Sequence, residues 1–436
     1  MPRPVAAKQR GRKSGNRGKR TSGAKSGSNA TLARRTAVEL VREVRERDAY
    51  ARELIDKRRA GWAQPKEEFD YMQVLVFGVT MCRGTLDFFI NRNLNSPKDI
   101  KDNVRDALQV SAYELLYLRK PDHVVVDQGV ELVRYVAPKA AGLANAVLRK
   151  MTRDADGFPW GDAEHENDAF ARQYAVPQWF TEDLIMQYGY DLSRALLEAC
   201  LRPAPTYTVE NPYLSGSTFA ADLASQQVAS MVPVDGCVLE IGAGRGTKTM
   251  LMQRNAHFWY GHAARIHTVD IHAFKEQLLR ARMDEQRVPN VITHTGDACR
   301  LGEIDALPNA FDAVFIDVPC SGTGTLRRHP EIRWRLHRND VKELARLQKR
   351  MIKQVASRVK VGGVLVYATC SILRRENQEV VTHFLKSEEG HGFSVVEPAP
   401  AFECFEDCIT DEGFFASLPA QDGPDGHFAV VLHRDK

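Results

Sequence analysis

The chain has 436 residues, of which 43% are hydrophobic, and its formal net charge is +4. This length exceeds the size at which one hydrophobic core stops growing, so we expect two or three folded units. No stretch reaches the roughly 18 consecutive apolar residues that a membrane span requires, and no apolar segment follows the basic N-terminus. These features argue against a membrane helix and a secretory signal, and we expect a monomeric cytoplasmic protein that does not bind membranes.

The first predicted element is a basic tail. Residues 1–30 contain nine Lys and Arg residues and no acidic residue, so the rest of the chain carries a net negative charge. The segment is rich in Gly and Ser and has too few large apolar side chains to bury a core. We therefore predict that residues 1–35 form a disordered arm that contacts polyanions, the alternative being a tail that only aids solubility.

Residues 36–153 are predicted to form an all-helical domain, because apolar residues such as Val41 and Val44 recur there at spacings of three and four. The segment 154–166 is rich in Gly, Asp and Glu and is typical of a linker. Further amphipathic helices follow it. We assign residues 154–212 to this linker and a helical subdomain.

From residue 213 to residue 436, short β-branched runs alternate with helical segments. The predicted buried strands are 238–241, 266–269, 291–294, 313–316 and 364–367, and the predicted crossover helices include 277–284 and 341–359. This alternation is typical of a doubly wound parallel sheet, the Rossmann-like α/β fold.

A glycine-rich turn follows the first of these strands and leads into a helix. Glycines let the backbone approach a ligand closely, and the N–H groups of the helix N-terminus face that ligand. Such turns serve dinucleotides as well as S-adenosylmethionine, and many of them only pack. We assign to a cofactor pocket the turn and its flanking charged residues: Glu240, Gly242, Ala243, Gly244, Gly246 and Lys248.

Two acidic residues are placed to contact the same cofactor. Asp270 ends the second strand, where an acid binds ribose hydroxyls in a NAD or an S-adenosylmethionine site. Asp297 follows the third strand, where it could meet an adenine amino group. Both positions are compatible with either cofactor.

The eight cysteines are scattered singly through the chain, which indicates free thiols rather than a disulfide framework. Cys404 and Cys408, with His427 and His433 downstream, do not match the spacing of common zinc sites. We therefore expect no metal.

Two of the cysteines follow adjacent strands of the predicted sheet. The fourth strand ends at Asp317, with Cys320 three residues later, and the fifth strand leads directly into Cys370. Ligands bind beyond the carboxyl ends of the strands in such sheets, and strands four and five lie side by side. We therefore expect two thiols and one carboxylate to converge beside the glycine turn.

This trio suits methylation of a cytosine at carbon 5. That carbon is too poor a nucleophile to attack a methyl sulfonium, but a thiolate that adds to carbon 6 turns the ring into an enamine-like species. A second group must then aid removal of the carbon-5 proton and expulsion of the thiol. We expect Asp317 to stabilise charge at the ring nitrogens and a cation, Lys248 or Arg327, to favour the thiolate.

A basic stretch follows the first of the two cysteine segments. Guanidinium and indole planes stack on bases and neutralise phosphates, and a target base must leave its stack to reach the thiols. We predict that this stretch binds RNA, a solvated charged helix being the alternative. The residues concerned are Arg327, Arg328, Arg333, Trp334 and Arg335.

These motifs resemble the RsmB (Sun/Fmu) group of bacterial ribosomal RNA cytosine-5 methyltransferases, relatives of the eukaryotic NSUN enzymes. Segments 317–324 and 367–377 look like the two cysteine motifs of that family, and segment 425–429 resembles its final strand motif. Segment 142–149 is similar to the signature of the NusB-like RNA-binding domain that the group carries at its N-terminus. The resemblance covers roughly residues 36–434.

The resemblance implies a class I methyltransferase domain preceded by an all-α NusB-like domain, acting on small-subunit rRNA with S-adenosylmethionine. It implies that Cys370 is the nucleophile, that Cys320 assists product release and that Asp317 contacts the cytosine at the border of the cofactor pocket. It also implies that Lys248, Asp270 and Asp297 line that pocket.

Three features depart from the family pattern. The usual Pro-Gly-Gly-Lys-Thr core of the glycine loop has lost its proline, since residues 244–249 read Gly-Arg-Gly-Thr-Lys-Thr. His427 stands where the family normally has Phe. About a dozen residues separate Asn211 from Ala224, where the family has several tens, so a small RNA-positioning subdomain is expected to be largely missing.

Two alternatives remain open from the sequence. One is a methyltransferase that acts on tRNA or another RNA. The other is an RNA-binding assembly factor that has lost turnover through its altered glycine loop and shortened insertion. A nucleotide-dependent oxidoreductase is disfavoured because it leaves the paired strand-end cysteines unexplained.

Overall fold

The computed structural model describes residues 28–436, so most of the predicted basic tail lies outside the described residues. The predicted end of the disordered tail at residue 35 is wrong, because the first helix already starts at Leu32. Its residue Arg34 is buried and its guanidinium lies 2.7 Å from a carboxylate oxygen of Glu114. This ion pair between distant parts of the chain holds the segment in the helical domain.

The N-terminal domain is all-helical, as predicted. Its helices are α1 Leu32–Glu46, α2 Ala51–Arg59, α3 Lys66–Arg92, α4 Asp102–Leu116, α5 Asp122–Val136 and α6 Ala141–Asp154. Their apolar stripes converge on one core that includes Val41, Leu86 and Leu108. Burial of these stripes supplies most of the stabilisation that short helices lack in water.

Helix α3 is long and apolar enough to cross a membrane by length and composition alone. More than half of its most apolar window is buried in the structure, however, and Leu75, Val79 and Leu86 are fully enclosed by the neighbouring helices. The helix therefore serves as the central core helix of this domain.

A helical subdomain connects the N-terminal domain to the sheet. It contains α7 Asn167–Gln173, α8 Gln178–Tyr188 and α9 Tyr190–Cys200, followed by the hairpin strands β1 Thr208–Glu210 and β2 Thr218–Ala220. The two strands pair antiparallel. The predicted boundary at residue 212 therefore cuts through this hairpin, which the sequence did not reveal because each strand has only three residues.

The C-terminal domain is a doubly wound α/β sheet, as predicted. Its strands are β3 Cys237–Ile241, β4 Arg265–Asp270, β5 Val291–Thr295, β6 Phe311–Asp317, β7 Val359–Thr369, β8 Phe393–Val396, β9 Phe415–Ser417 and β10 His427–Arg434. Its helices are α10 Leu223–Ser230, α11 Thr247–Tyr260, α12 Ala273–Glu285, α13 Ile332–Arg335, α14 Arg338–Ala356 and α15 Gln378–Leu385. The helix predicted over 341–359 ends at Ala356, because Val359 already pairs with Phe311 as the start of β7.

The strand order is β5-β4-β3-β6-β7-β10-β8, with β9 paired to β10. Strands β3 to β7 are parallel, and β10 runs antiparallel to β7. The order reverses between β3 and β6, which places the crevice where such sheets bind ligands at the carboxyl ends of these two strands. Side chains alternate between two cores, so that Phe315 and Ala368 face α10 and α11 while Ile316 and Tyr367 face α14 and α15.

Candidate active site

The two strand-end cysteines meet at the carboxyl edge of the sheet. Strands β6 and β7 pair in parallel with Asp317 opposite Ala368, so Cys320 and Cys370 leave the sheet side by side. Their sulfur atoms lie 3.3 Å apart. Both residues are partly accessible, whereas Cys82 and Cys200 are enclosed in apolar cores. The short contact between two sulfur atoms, rather than accessibility, distinguishes this pair from the other free thiols.

Proton sharing distinguishes the two sulfur atoms. The hydrogen bond with Cys370, together with burial and the nearby carboxylates of Glu376 and Asp317, raises the pKa of Cys320 well above its usual range. Cys320 therefore keeps its proton at neutral pH and can donate it towards the sulfur of Cys370. A thiol that donates to its neighbour stabilises negative charge on that neighbour.

A buried ion pair borders the two thiols. The Nζ atom of Lys248, near the start of α11, lies 2.7 Å from Oδ2 of Asp317 at the end of β6. Burial lowers the pKa of Lys248, but the charge and hydrogen bond of Asp317 and the charge of Cys370 outweigh it, so this pKa is raised. Lys248 is therefore a permanent cation close to Cys370. The sequence had suggested Lys248 or Arg327 as the cation that favours the thiolate, and Lys248 has the position that this role requires.

The glycine turn packs directly against the end of β6. Gly242, Gly244 and Gly246 all have positive φ angles, of 81°, 57° and 77°. A Cβ atom on Gly242 would lie 2.2 Å from the carbonyl oxygen of Asp317. Both the left-handed backbone and this close approach require glycine. The turn keeps a tight cradle at the N-terminus of α11 although its proline is absent.

Glu240 lies beneath this cradle with an unused acceptor. One oxygen accepts a hydrogen bond of 2.6 Å from Oγ1 of Thr249, and the other has no protein partner among the described residues. Burial raises the pKa of Glu240 to about 7. A free buried carboxylate oxygen beside a glycine cradle is suited to a ligand that brings hydroxyl or amine donors.

Asp270 and Asp297 lie at the same carboxyl edge of the sheet as the glycine turn, and backbone hydrogen bonds connect their loops. The N–H of Gly242 donates to the carbonyl of Val269, and the N–H of Gly296 donates to the carbonyl of Asp270. These bonds tie the loops after β3, β4 and β5 together. One oxygen of Asp270 accepts the N–H of His272, and one oxygen of Asp297 accepts the N–H of Cys299.

Glu376 organises the two cysteine loops, a role that the sequence did not reveal. Its side chain is fully buried, and one oxygen accepts the N–H of Ser321 at 2.8 Å and the amide of Gln348 at 3.0 Å. The other oxygen accepts the hydroxyls of Ser321 and Ser371. The residue after each cysteine is thus fixed to one carboxylate. The only available signal was the position of Glu376 inside the second cysteine motif.

His427 is a second residue whose place became visible only in the fold. Phe428 pairs with Thr369 across β10 and β7, so the next position in that register sets His427 beside Cys370. Its Nε2 lies 3.2 Å from Oγ of Ser225, and its Nδ1 is buried without a partner among the described residues. Burial, and then the charge of Lys248, lower the pKa of His427, so the imidazole is neutral at pH 7.

The basic stretch after Cys320 does not form the predicted RNA surface. Arg327 is buried, and its Nε donates to Asp425 at 2.6 Å while its other nitrogens donate to backbone carbonyls. Arg328 pairs with Asp425 and with Asp222. Both guanidinium groups therefore hold the C-terminal loop to the domain, and Arg327 is not the cation that favours the thiolate.

The rest of this stretch connects the two domains. Arg333 is buried and donates to the carbonyls of Tyr174, Ala175 and Cys200. Trp334 is inserted against α3, where its indole N–H donates to the carbonyl of Met81 at 2.8 Å. We call residues 332–335, which form α13, the interdomain wedge.

Arg335 completes the interdomain wedge. Its guanidinium donates to the carbonyls of Val44 and Ala49, between α1 and α2, and pairs with Asp48 at 2.6 Å. The structure does not support RNA contacts by these side chains, because most of their donors bind groups within the protein, although Nε of Arg333 has no partner among the described residues. A sequence shows the charges but not their partners.

Within residues 28–436, no group of three or more His, Cys, Asp or Glu side chains converges in an arrangement that could hold a metal ion.

Comparison with known families agrees with this geometry. Residues 231–433 match the family model of the 16S rRNA methyltransferase RsmB/F, and residues 31–153 match the model of the NusB family. The two matches correspond to the α/β domain and the helical domain.

Individual relatives span most of the chain. The chain is 26% identical to the probable ribosomal RNA small subunit methyltransferase B of Bacillus subtilis (strain 168), over 93% of its own length and 99% of that protein. It is 29% identical to ribosomal RNA small subunit methyltransferase B of Klebsiella pneumoniae (strain 342), over 72% of its length and 80% of that protein.

The crystal structure of PH0851 has the same fold, with a TM-score of 0.72 and 19% identity, covering 92% of this chain and 98% of that one. Residues 231–433 thus form a methyltransferase domain similar to those of the RsmB/F family, and residues 31–153 form a domain similar to those of the NusB family.

Proposed function

We propose that this methyltransferase transfers the methyl group of S-adenosylmethionine to carbon 5 of a cytosine in bacterial 16S rRNA, through a covalent adduct between Cys370 and carbon 6. The observation that carries the proposal is the 3.3 Å contact between the sulfur atoms of Cys320 and Cys370 beside a buried Lys248–Asp317 ion pair. The relatives that are named as small-subunit rRNA methyltransferases support the substrate.

The residues at the cradle fit S-adenosylmethionine. A Cβ atom at Gly242 would close the cradle, and Glu240 keeps a buried oxygen without a protein partner. Asp270 and Asp297 would bind the ribose hydroxyls and the adenine amino group, beside the N-terminus of α11. When bound there, the cofactor supplies an electrophilic methyl group on a sulfonium.

The chain's own residues would prepare the cytosine. Cys370, as a thiolate close to the Lys248 cation, forms the bond to carbon 6, and negative charge moves onto carbon 5 and the ring nitrogens. Asp317, whose orientation is fixed by Lys248, accepts a hydrogen bond from the amino group on carbon 4, and the Lys248 cation stabilises the negative charge on the ring. Carbon 5 thereby becomes a nucleophile.

Release of the product requires the reverse bond changes. Once carbon 5 carries the methyl group, transfer of its proton to a water molecule restores the ring double bond and expels the Cys370 thiolate from carbon 6. Cys320, 3.3 Å away, is placed to protonate or hydrogen-bond the departing sulfur. Its raised pKa means that it holds a proton for this purpose.

The test compares the wild-type protein with Cys370→Ala and Cys320→Ala, using labelled S-adenosylmethionine and 16S rRNA. We expect no methylation by the first variant, and a covalent protein–RNA adduct that survives denaturing gels with the second. Bisulfite sequencing of the wild-type product then identifies the modified cytosine. Wild-type turnover by Cys370→Ala would refute the proposed nucleophile, and methylation of tRNA but not of 16S rRNA would refute the substrate.

A further inference from the structure

The basic side chains that follow Cys320 mostly bind groups within the protein. A second basic surface lies on the loop that follows Cys370. Leu373 and Glu376 are both buried, and between them Arg374 and Arg375 are exposed. Neither guanidinium makes a hydrogen bond or a salt bridge within residues 28–436, in contrast to Arg327. The two charges are therefore available to a ligand.

The loop that carries these arginines is held firmly by α8. The hydroxyl of Tyr188 and the amide of Gln187 donate to the carbonyl of Ile372 at 2.6 and 2.8 Å, and the backbone N–H of Arg374 donates to Oε1 of Gln187 at 3.0 Å. Glu376 fixes the loop from the other side. Because the backbone is fixed at both ends, the arginine pair has a constant position relative to Cys370.

The arginines border an open groove between this loop and α8, with a volume of about 310 Å³. Met186 lines the groove with 84% of its surface exposed, the largest value among the exposed large apolar residues of the described chain. Asp183 and Glu379 also line it, and Asp183 is paired with Arg338 at 3.0 Å. The groove thus offers two unpaired guanidinium groups and an apolar side chain.

We propose that this groove binds the RNA strand next to the target nucleotide, with Arg374 and Arg375 on its phosphates and Met186 against a base. Arginine forks match phosphate oxygens, and a flexible apolar side chain packs on an unstacked base. Arg374 is four residues from Cys370, so its backbone lies at most about 14 Å from that of the nucleophile. The inference rests on the proposed RNA substrate.

The experiment uses the full-length chain, a 16S rRNA transcript as probe, and two double variants. Arg374→Gln/Arg375→Gln removes both charges of the groove. Arg265→Gln/Arg287→Gln is the matched control, because those exposed arginines lie at the opposite edge of the sheet, at the start of β4 and just before β5. RNA affinity is measured directly against salt, and methylation is measured separately against RNA concentration.

We expect the groove variant to bind RNA about tenfold more weakly at 0.1 M salt and to lose about 1.4 from the slope of log Kd against log salt, as two phosphate contacts on a single strand require. Its KM for RNA rises while kcat and cofactor affinity stay unchanged, and the control matches the wild type. Unchanged affinity and slope in the groove variant would overturn the inference. Failure of the proposed function is a different result, since then the wild type methylates no cytosine although binding is still measurable.

Discussion

Glu240 shows how strongly burial acts on a single side chain in this site. Its pKa of about 7 exceeds the ordinary value for a glutamate because the carboxylate is enclosed beneath the glycine turn. In the unfolded chain the group ionises near its usual value, so between about pH 4.5 and 7 the folded protein binds the extra proton. Stability from this group is therefore lost as pH rises through that window.

Glu240→Gln should remove this pH dependence. We expect the free energy of unfolding of the variant, relative to wild type, to increase by about 3 kcal/mol between pH 4.5 and pH 8, since all other titrating groups are shared. Urea unfolding of the α/β domain at several pH values measures this difference. A difference that does not change with pH would contradict the raised pKa.

Glu376 acts on both cysteine loops at once, because it accepts hydrogen bonds from the residues that follow Cys320 and Cys370. Glu376→Gln places an amide group against donors that need an acceptor, at a cost of about 2 kcal/mol. We expect methylation to fall about tenfold or more. Glu388→Gln, an exposed residue just after α15, is the control and should keep wild-type turnover. Equal rates in the two variants would exclude the organising role.

At the scale of elements, the interdomain wedge connects the loop that begins at Cys320 to helix α3 of the helical domain. A Cβ atom on Gly84 would lie 2.2 Å from Cζ3 of Trp334, so the indole fills the space that this glycine leaves. The wedge and α3 are therefore complementary in shape. Their contact can be tested by a substitution in the wedge or by a substitution in α3.

Trp334→Ala and Gly84→Ala should weaken the same contact. We expect each to destabilise the protein by about 2 kcal/mol and to lower Tm by about 5 °C. Trp259→Ala is the matched control, because that indole is half exposed at the end of α11. Thermal unfolding measures the effect, and limited proteolysis reports whether the two domains separate. If Trp259→Ala destabilises the protein as much as Trp334→Ala does, the contact between the wedge and α3 has no special role in stability.

The strands were predictable because a buried parallel sheet needs continuous apolar runs. Segments 313–316 and 364–367 are apolar runs of the length that is typical of such strands. The convergence of Cys320 and Cys370 followed from the order of parallel strands. The roles of Arg333 and Trp334 were not predictable, because a guanidinium that binds RNA and one that binds a distant carbonyl have the same local sequence. The short hairpin β1–β2 was missed for lack of any periodic signal.

At the scale of the whole molecule, the helical domain and the α/β domain are joined by the wedge and by a contact of Arg245 in the glycine turn with Glu53 of α2. Both contacts begin at loops of the candidate site. The position of the helical domain is thus coupled to the cradle and to the loop of Cys320.

The basic residues 1–27 lie outside the described structure, and the sequence predicts that they contact RNA through charge. Removal of this segment should weaken RNA binding at least about tenfold at low salt and flatten the salt dependence, while kcat at saturating RNA is unchanged. Filter binding and methylation of 16S rRNA by the truncated and full-length chains give both values. If the truncated chain binds RNA as well as the full-length chain does, the segment does not contact RNA and only aids solubility.

The short distance between Cys320 and Cys370 also has a consequence for the fate of the protein in air. A peroxide can remove two electrons and two protons from a dithiol at this spacing and join the sulfur atoms, with water as the other product. The oxidised protein would weigh 2 Da less by this chemistry and would have no thiolate to attack a base. A thiol reductant should restore both mass and methylation, so we expect activity only while both thiols are reduced.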